Sequence, residues 1–135
     1  MTKIGFAITA YDKFEEAEIG IEIIRKEFKK DYVIGFCSNH PDAKKISKDW
    51  DINTFIAARN ISFNKPKGTE STHTTNEVDR FSIQVRALDS VRTSCKQLLD
   101  YDIDYITHVH SDAWYLNENM IHTLTEEMEK RKNLL

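Results

Sequence analysis

The sequence predicts an α/β protein, a three-layer α/β/α sandwich built around a mostly parallel sheet. Three observations support this class. Short apolar runs that suit buried strands alternate along the chain with helical patterns. Two of the helical patterns are long and have one apolar stripe. The 135 residues include only 4 Gly and 2 Pro, which is too few for the dense turns of a β-sandwich.

The first half of the chain predicts three strands and two helices. A strand buried on both faces is expected at the first apolar run, and a helix is expected to begin at Asp12. Asp12 stands three residues before Glu15, which is the spacing of a capping box, and an apolar stripe from Phe14 to Phe28 follows. The strands are predicted over 3–9, 32–37 and 54–58, and a short helix over 42–49.

The second half begins with a polar segment, residues 60–76, which predicts a long loop. A second long helix is predicted over 78–99, a fourth strand over 104–110, and a last helix from about Asn117. Apolar residues at helical spacing are expected to face the core on both helices. These are Phe81, Val85, Leu88, Val91, Cys95 and Leu98 on the long helix, and Ile121, Leu124 and Met128 on the last one.

Composition limits the function classes. The length is typical of one domain. The net charge of -3 gives no basic field for nucleic acid, and no apolar run approaches the roughly 20 residues of a membrane helix. The N-terminus has no signal-peptide pattern, and Cys37 and Cys95 are not spaced as a metal site. A cytoplasmic protein with reduced cysteines is therefore expected.

Several common sequence motifs are absent. No glycine-rich dinucleotide fingerprint follows the first strand, and the chain contains neither a Walker A sequence nor a Gly-x-Ser-x-Gly elbow. Neither cysteine lies in a catalytic signature. The usual dehydrogenases, P-loop ATPases and α/β-hydrolases are thereby made unlikely.

Polar residues follow each of the four predicted strands. In a parallel sheet these strand ends meet at one edge, where α/β proteins bind ligands. We therefore expect a binding site at this edge. Its candidate segments are Thr9-Ala10-Tyr11, Ser38-Asn39-His40, Arg59-Asn60 and His110-Ser111-Asp112.

The fourth strand carries the densest cluster of candidate metal ligands. His108, His110 and Asp112 alternate, so a strand would place them on one face, and imidazole with carboxylate suits zinc or manganese. The run resembles the start of the metallo-β-lactamase motif, although Ala113 stands where that family has a second histidine. A metal-dependent hydrolase is thus one alternative. Another is that His108 is a core histidine and Asp112 caps the last helix.

The order of elements and the strand ending in His110-Ser111-Asp112 resemble the nucleotide-sugar-binding half of GT-A glycosyltransferases. The resemblance covers nearly the whole chain and implies a nucleotide-diphospho-sugar donor. That family often has Asp-x-Asp after this strand. Here His110 replaces the first Asp and Asp112 retains the last. The resemblance implies that His110 and Asp112 hold Mn²⁺ or Mg²⁺ against the diphosphate.

The same resemblance implies roles for the other strand ends. Thr9, Ala10 and Tyr11 match the loop that cradles the nucleoside, and Ser38 and Asn39 match the strand end that contacts the base or ribose. Ser111, within the metal motif, is implied as a further contact to the nucleotide sugar. Arg59 is a candidate phosphate contact, and Arg80 and Arg86 lie near the start of a helix that can face the diphosphate.

The family's acceptor-binding half normally follows the metal motif, and here one helix follows it. We therefore expect a single donor-binding domain over 1–135, truncated relative to a full catalytic domain, with a glycan or other acceptor. The acidic and histidine side chains of the last helix, from Glu118 to Glu129, are expected to face solvent. Oligomerisation stays open, as does a third possibility, a non-catalytic α/β binding module.

Overall fold

The computed structural model describes residues 3–60, 77–115 and 117–132, without the side chains of residues 77–83. Most of the long loop predicted over 60–76 and the side chains of Arg80 and Phe81 therefore lie outside the described part. The strands are β1 (Ile4–Thr9), β2 (Val33–Ser38), β3 (Thr54–Ala57) and β4 (Tyr105–His110). The helices are α1 (Phe14–Glu27), α2 (Ala43–Ile46), α3 (Glu77–Gln97) and α4 (Glu118–Lys132), and a 3₁₀ turn (Leu98–Asp100) follows α3.

The four described strands form one parallel sheet in the order β3-β2-β1-β4. In its register, Ile8 of β1 lies beside Phe36 of β2 on one side and Val109 of β4 on the other. The predicted α/β class with a parallel sheet is confirmed. All six residues of the central strand β1 are buried, as its continuous apolar run predicts.

Residue size alternates along β1 and distinguishes the two faces of the sheet. Phe6 and Ile8 belong to a large apolar cluster with residues of α1 and α4. On the opposite face, a Cβ at Gly5 would lie 2.8 Å from Cδ1 of Ile103 and 3.2 Å from Cδ1 of Leu98. The small residue therefore lets the 3₁₀ turn and the segment after it approach the sheet closely, and helices cover both faces.

Helix α1 follows the predicted stripe but not the predicted cap. Ala17, Ile21 and Ile24 are buried against the sheet. The capping box expected at Asp12 is wrong, because Lys13 occupies the N-cap position and no side chain caps the helix. The backbone carbonyl of Lys13 accepts the first helical hydrogen bond, from the Ala17 amide (3.2 Å).

The stripes predicted for α3 and α4 are partly wrong. Leu88 is 71% exposed, and Leu124 and Met128 are 52% and 54% exposed. On α4 the buried residues are Ile121 and Thr125, and the Thr125 hydroxyl donates to the Ile121 carbonyl. A threonine can be buried because its hydroxyl donates a hydrogen bond to the helix backbone, so apolar spacing alone does not define the buried face.

Glu118 also departs from the prediction that it faces solvent. Its carboxylate accepts hydrogen bonds from the Tyr32 hydroxyl (2.6 Å) and from the Lys29 (3.0 Å) and Lys30 (3.4 Å) amides. Burial alone would raise its pKa, but these bonds outweigh burial and lower the pKa to about 2. Glu118 thus ties the start of α4 to the chain between α1 and β2. No helix among the described residues is long and apolar enough to cross a bilayer.

Candidate functional site

A cleft of about 340 Å³ opens at the carboxyl ends of β1 and β4. The chain leaves β1 towards β2 and returns to the other side of β1 through β4, so these two strands flank the point where the strand order reverses. Parallel sheets bind ligands in the crevice at this point. The predicted site residues that line the cleft are Thr9, Ala10, Tyr11, Asn39, His110, Ser111 and Asp112.

Tyr11 forms part of the wall that follows β1. Its ring is 40% exposed, and it meets the ring of His40 edge to face at a centroid distance of 5.3 Å. The buried Ser38 hydroxyl donates to the Tyr11 carbonyl (3.2 Å) and accepts a hydrogen bond from the His40 amide (3.1 Å). Ser38 is not in the lining. It holds the loop that presents Tyr11.

Asn39 stands beside Tyr11 at the end of β2. The side-chain nitrogen Nδ2 of Asn39 donates to Oδ1 of Asn60 (3.0 Å), and Nδ2 of Asn60 donates to the backbone carbonyl of Asn39 (3.2 Å). This reciprocal pair fixes the Asn39 side chain at the cleft. An aromatic face next to an amide is the combination that proteins use to stack a nucleobase and read its edge.

The cleft lining also carries a charged pair. Asp112, just beyond β4, has its Oδ2 atom 3.5 Å from Nζ of Lys13, which lies at the start of α1. Both side chains are more than half exposed, so the pair contributes at most about 1 kcal/mol and a ligand can separate it. Lys13 itself lines the cleft.

His108 does not line the cleft but contacts two residues that do, Thr9 and His110. Its Nε2 atom is 3.0 Å from the Thr9 hydroxyl, and its ring packs edge to face against His110 at 5.0 Å. Burial and the neighbouring His110 lower the pKa of His108, which favours the neutral imidazole. His108 and His110 share a face of β4 as predicted, whereas Asp112 lies past the strand.

The three-ligand metal site of the hydrolase alternative does not form. Among the residues that the structure describes, no three His, Cys, Asp or Glu side chains stand close enough to hold a metal ion. His110 and Asp112 offer at most two donors, an imidazole and a carboxylate, which fit Mn²⁺ or Mg²⁺ only if a ligand such as a diphosphate supplies the remaining oxygens.

One face of α3 closes the cleft, and sequence reasoning missed most of it. Arg86, Ala87, Ser90 and Val91 line the cavity. Their i, i+1, i+4, i+5 spacing places them on one side of a helix. The small and polar residues on this face could have indicated a ligand-binding surface. Val91, however, also fits the apolar stripe, which predicts that it is buried in the core. Asp12 and Lys13 are further lining residues that the prediction omitted.

Arg59 is not among the lining residues. Its guanidinium makes two hydrogen bonds to the buried carboxylate of Asp89 on α3. The hydrogen bond from Arg59 lowers the pKa of Asp89, so the pair stays ionised. The phosphate contact foreseen for Arg59 stays a prediction, and the geometry gives Arg59 the role of joining the end of β3 to α3.

The two cysteines show no features of nucleophiles. Cys37 is fully buried in β2, and burial raises the pKa of its thiol to about 12. Burial also raises the pKa of Cys95 on α3. A thiol that stays protonated at neutral pH is a poor nucleophile, so covalent cysteine chemistry does not fit either position.

In comparisons with known proteins, no family model, curated protein or solved structure matches this chain. A function is therefore inferred from the cleft itself.

Proposed function

We propose that the cleft binds the nucleoside diphosphate part of a nucleotide-sugar donor, and that the chain is the donor-binding domain of a GT-A-type glycosyltransferase. The observation that carries the proposal is the composition of the cleft lining. Tyr11 and Asn39 supply base-recognition chemistry, and Lys13, Arg86 and Asp112 supply charge. The volume of about 340 Å³ lies within the roughly 300–1,000 Å³ of small-molecule sites.

In this proposal the residues of the chain act as binding and orienting groups. The Tyr11 ring stacks on the base, the Asn39 amide hydrogen-bonds its edge, and the Arg86 and Lys13 cations attract the phosphates. These roles use side chains that already line one cavity. Holding the donor in one orientation is the part of glycosyl transfer that the described residues can supply.

A divalent cation completes the charge balance. The charged lining residues are Asp12, Lys13, Arg86 and Asp112, whose formal charges sum to zero, so the lining alone leaves a diphosphate uncompensated. Mn²⁺ or Mg²⁺ beside Asp112 and His110 would neutralise the charge that develops on the departing diphosphate. The two donors and the phosphate oxygens make up a suitable ligand set.

Calorimetry tests the proposal. UDP, GDP, CDP and ADP are titrated into the protein with Mn²⁺ and again with EDTA, and at least one nucleotide is expected to bind more tightly with Mn²⁺. Tyr11→Ala should weaken binding about 5- to 150-fold, because stacking on an aromatic side chain contributes about 1–3 kcal/mol per base. Tyr11→Phe keeps the ring and should bind like the wild type.

Asp112→Asn tests the metal role. It should remove the benefit of Mn²⁺ and leave binding in EDTA little changed. Asp100→Asn is the matched control, because Asp100 is an exposed carboxylate near the opposite end of the sheet. Failure of every nucleotide to bind would refute the proposal. Binding of a nucleotide with equal affinity in Mn²⁺ and in EDTA would favour the non-catalytic α/β module instead.

A further inference from the structure

An interior glycine of α1 lies directly beneath the indole ring of Trp114. A Cβ atom at Gly20 would stand 3.0 Å from Cδ1 and 3.5 Å from Nε1 of that ring. Glycine weakens a helix interior relative to alanine, so its use here needs a local reason. The close approach of Trp114 supplies one, because a methyl group at this position would press on the ring until the ring shifted by a few tenths of an ångström.

The indole nitrogen fixes the ring in a second way. Nε1 of Trp114 donates to the backbone carbonyl of Glu16 on α1 (2.9 Å) and also lies 3.2 Å from the carbonyl of Ser111. One N–H group is thus shared between α1 and the turn that begins after β4. The ring is 42% exposed, so these contacts rather than deep burial determine its position.

The same face of α1 also reaches Asp112. Lys13, Glu16 and Gly20 are three and four residues apart, which places them on one side of the helix. Lys13 pairs with Asp112, and the other two positions contact Trp114. Because the Lys13–Asp112 pair is exposed and weak, it does not by itself fix the carboxylate.

We propose that Trp114, seated on Gly20, is a positioning residue that sets where the Asp112 carboxylate stands at the cleft. The inference rests on the proposed function, in which Asp112 meets the diphosphate through a divalent cation. Trp114 is not in the cleft lining, so it acts through the short segment that joins it to Asp112. The Ser111 carbonyl accepts a hydrogen bond from the indole N–H group, so a displaced ring also displaces this carbonyl. Asp112 directly follows Ser111 and moves with it.

Gly20→Ala and Trp114→Phe test this proposal with two readouts on the full chain. The first is the affinity for UDP and GDP in the presence of Mn²⁺. Each variant should bind about 10-fold more weakly, the low end for losing a group that orients a metal ligand. The second readout is the set of backbone amide resonances of Ser111, Asp112 and Ala113 without ligand, which should shift. Ile19→Ala, an exposed neighbour on α1, is the control and should change neither.

The thermal stability separates positioning from a structural role. Alanine favours a helix over glycine, so a folded Gly20→Ala protein that binds weakly identifies displacement of Trp114 rather than loss of fold. In the Trp114→Phe background, Gly20→Ala should weaken binding less than it does alone, because the smaller ring leaves room. Unchanged affinity together with unmoved Asp112 resonances would overturn the proposal. If no nucleotide binds the wild type, the proposed function fails. The amide resonances then still show whether the packing of Trp114 on Gly20 affects the position of Asp112.

Discussion

The hydroxyl of Ser38 donates a 3.2 Å hydrogen bond to the backbone carbonyl of Tyr11, joining the end of β2 to the loop after β1. The same hydroxyl accepts the His40 amide, so one buried side chain sets two residues whose rings pack together. The wall of the cleft that presents Tyr11 therefore depends on a residue that does not itself line the cleft.

Ser38→Ala should lower both stability and nucleotide affinity. Leaving two partly buried backbone groups without their side-chain partner should cost about 1 kcal/mol of unfolding free energy, which urea denaturation measures. The affinity falls because the Tyr11 loop loses its anchor. Ser47→Ala is the matched control, because Ser47 is also buried and donates to the Ala43 carbonyl away from the cleft. It should lower stability only; an equal loss of affinity in both variants would contradict the prediction.

Glu118 makes the stability of the chain depend on pH. Its pKa falls from 4.5 to about 2 on folding, so its contribution is present above pH 4.5 and is lost as the pH falls towards 2. Glu118→Gln should thus be less stable than the wild type at pH 6, and the difference should shrink as the pH approaches 2. Urea denaturation at several pH values measures this, with exposed Glu126→Gln as the control. A difference that stays constant with pH would refute the prediction.

Arg25 is a cation with a structural role that no sequence motif predicts. Its side chain is 13% exposed and donates to the carbonyls of Tyr32 (2.6 Å) and Asp51 (2.9 Å) and to Oδ1 of Asn53 (2.8 Å). Lysine lacks the planar fork that reaches these acceptors together, so Arg25→Lys should lower the unfolding free energy by about 2 kcal/mol or more. Arg131→Lys on exposed α4 should change it by less than about 0.5 kcal/mol. Similar denaturation midpoints for the two variants would disprove this role.

The two faces of α4 predict opposite outcomes. Ile121→Ala removes a buried side chain and should cost about 2–5 kcal/mol. Leu124→Ala removes a half-exposed one and should cost about 1 kcal/mol, since about half of it stays in water on folding. Thermal or urea denaturation compares them directly. Equal losses of unfolding free energy would instead support the buried apolar face that the sequence predicts, with Leu124 in the core.

Much of the fold was predictable because strand and helix patterns are local. The runs at residues 3–9 and 104–110 gave strands close to their observed bounds, and the spacing from Ala17 to Phe28 gave the buried side of α1. Leu88 and Leu124 were assigned to the core because they continue an apolar spacing, but both are more than half exposed. Buried Ser94 and Gln97 show that α3 turns a partly polar side to the sheet.

The candidate site was predictable in part for a topological reason. Parallel strands end at one edge, so Thr9, Asn39 and Asp112 were expected together, and all three line the cleft. Arg86 and Lys13 complete that cleft from helices whose orientation depends on packing. Ser38 and Trp114 act through hydrogen bonds to backbone carbonyls, which carry no sequence signature.

The sequence by itself determined the class of the fold, the order of its elements and the edge at which polar strand ends collect. Periodicity and strand direction are encoded within each segment, which is why these features can be read locally. Only the tertiary structure decided which helix faces are buried, that Arg59 joins Asp89, and that Trp114 rests on Gly20 beside Asp112. Each of these features is a contact between residues about 30 to 100 positions apart in the chain. The packing of the whole sheet determines which distant residues come into contact.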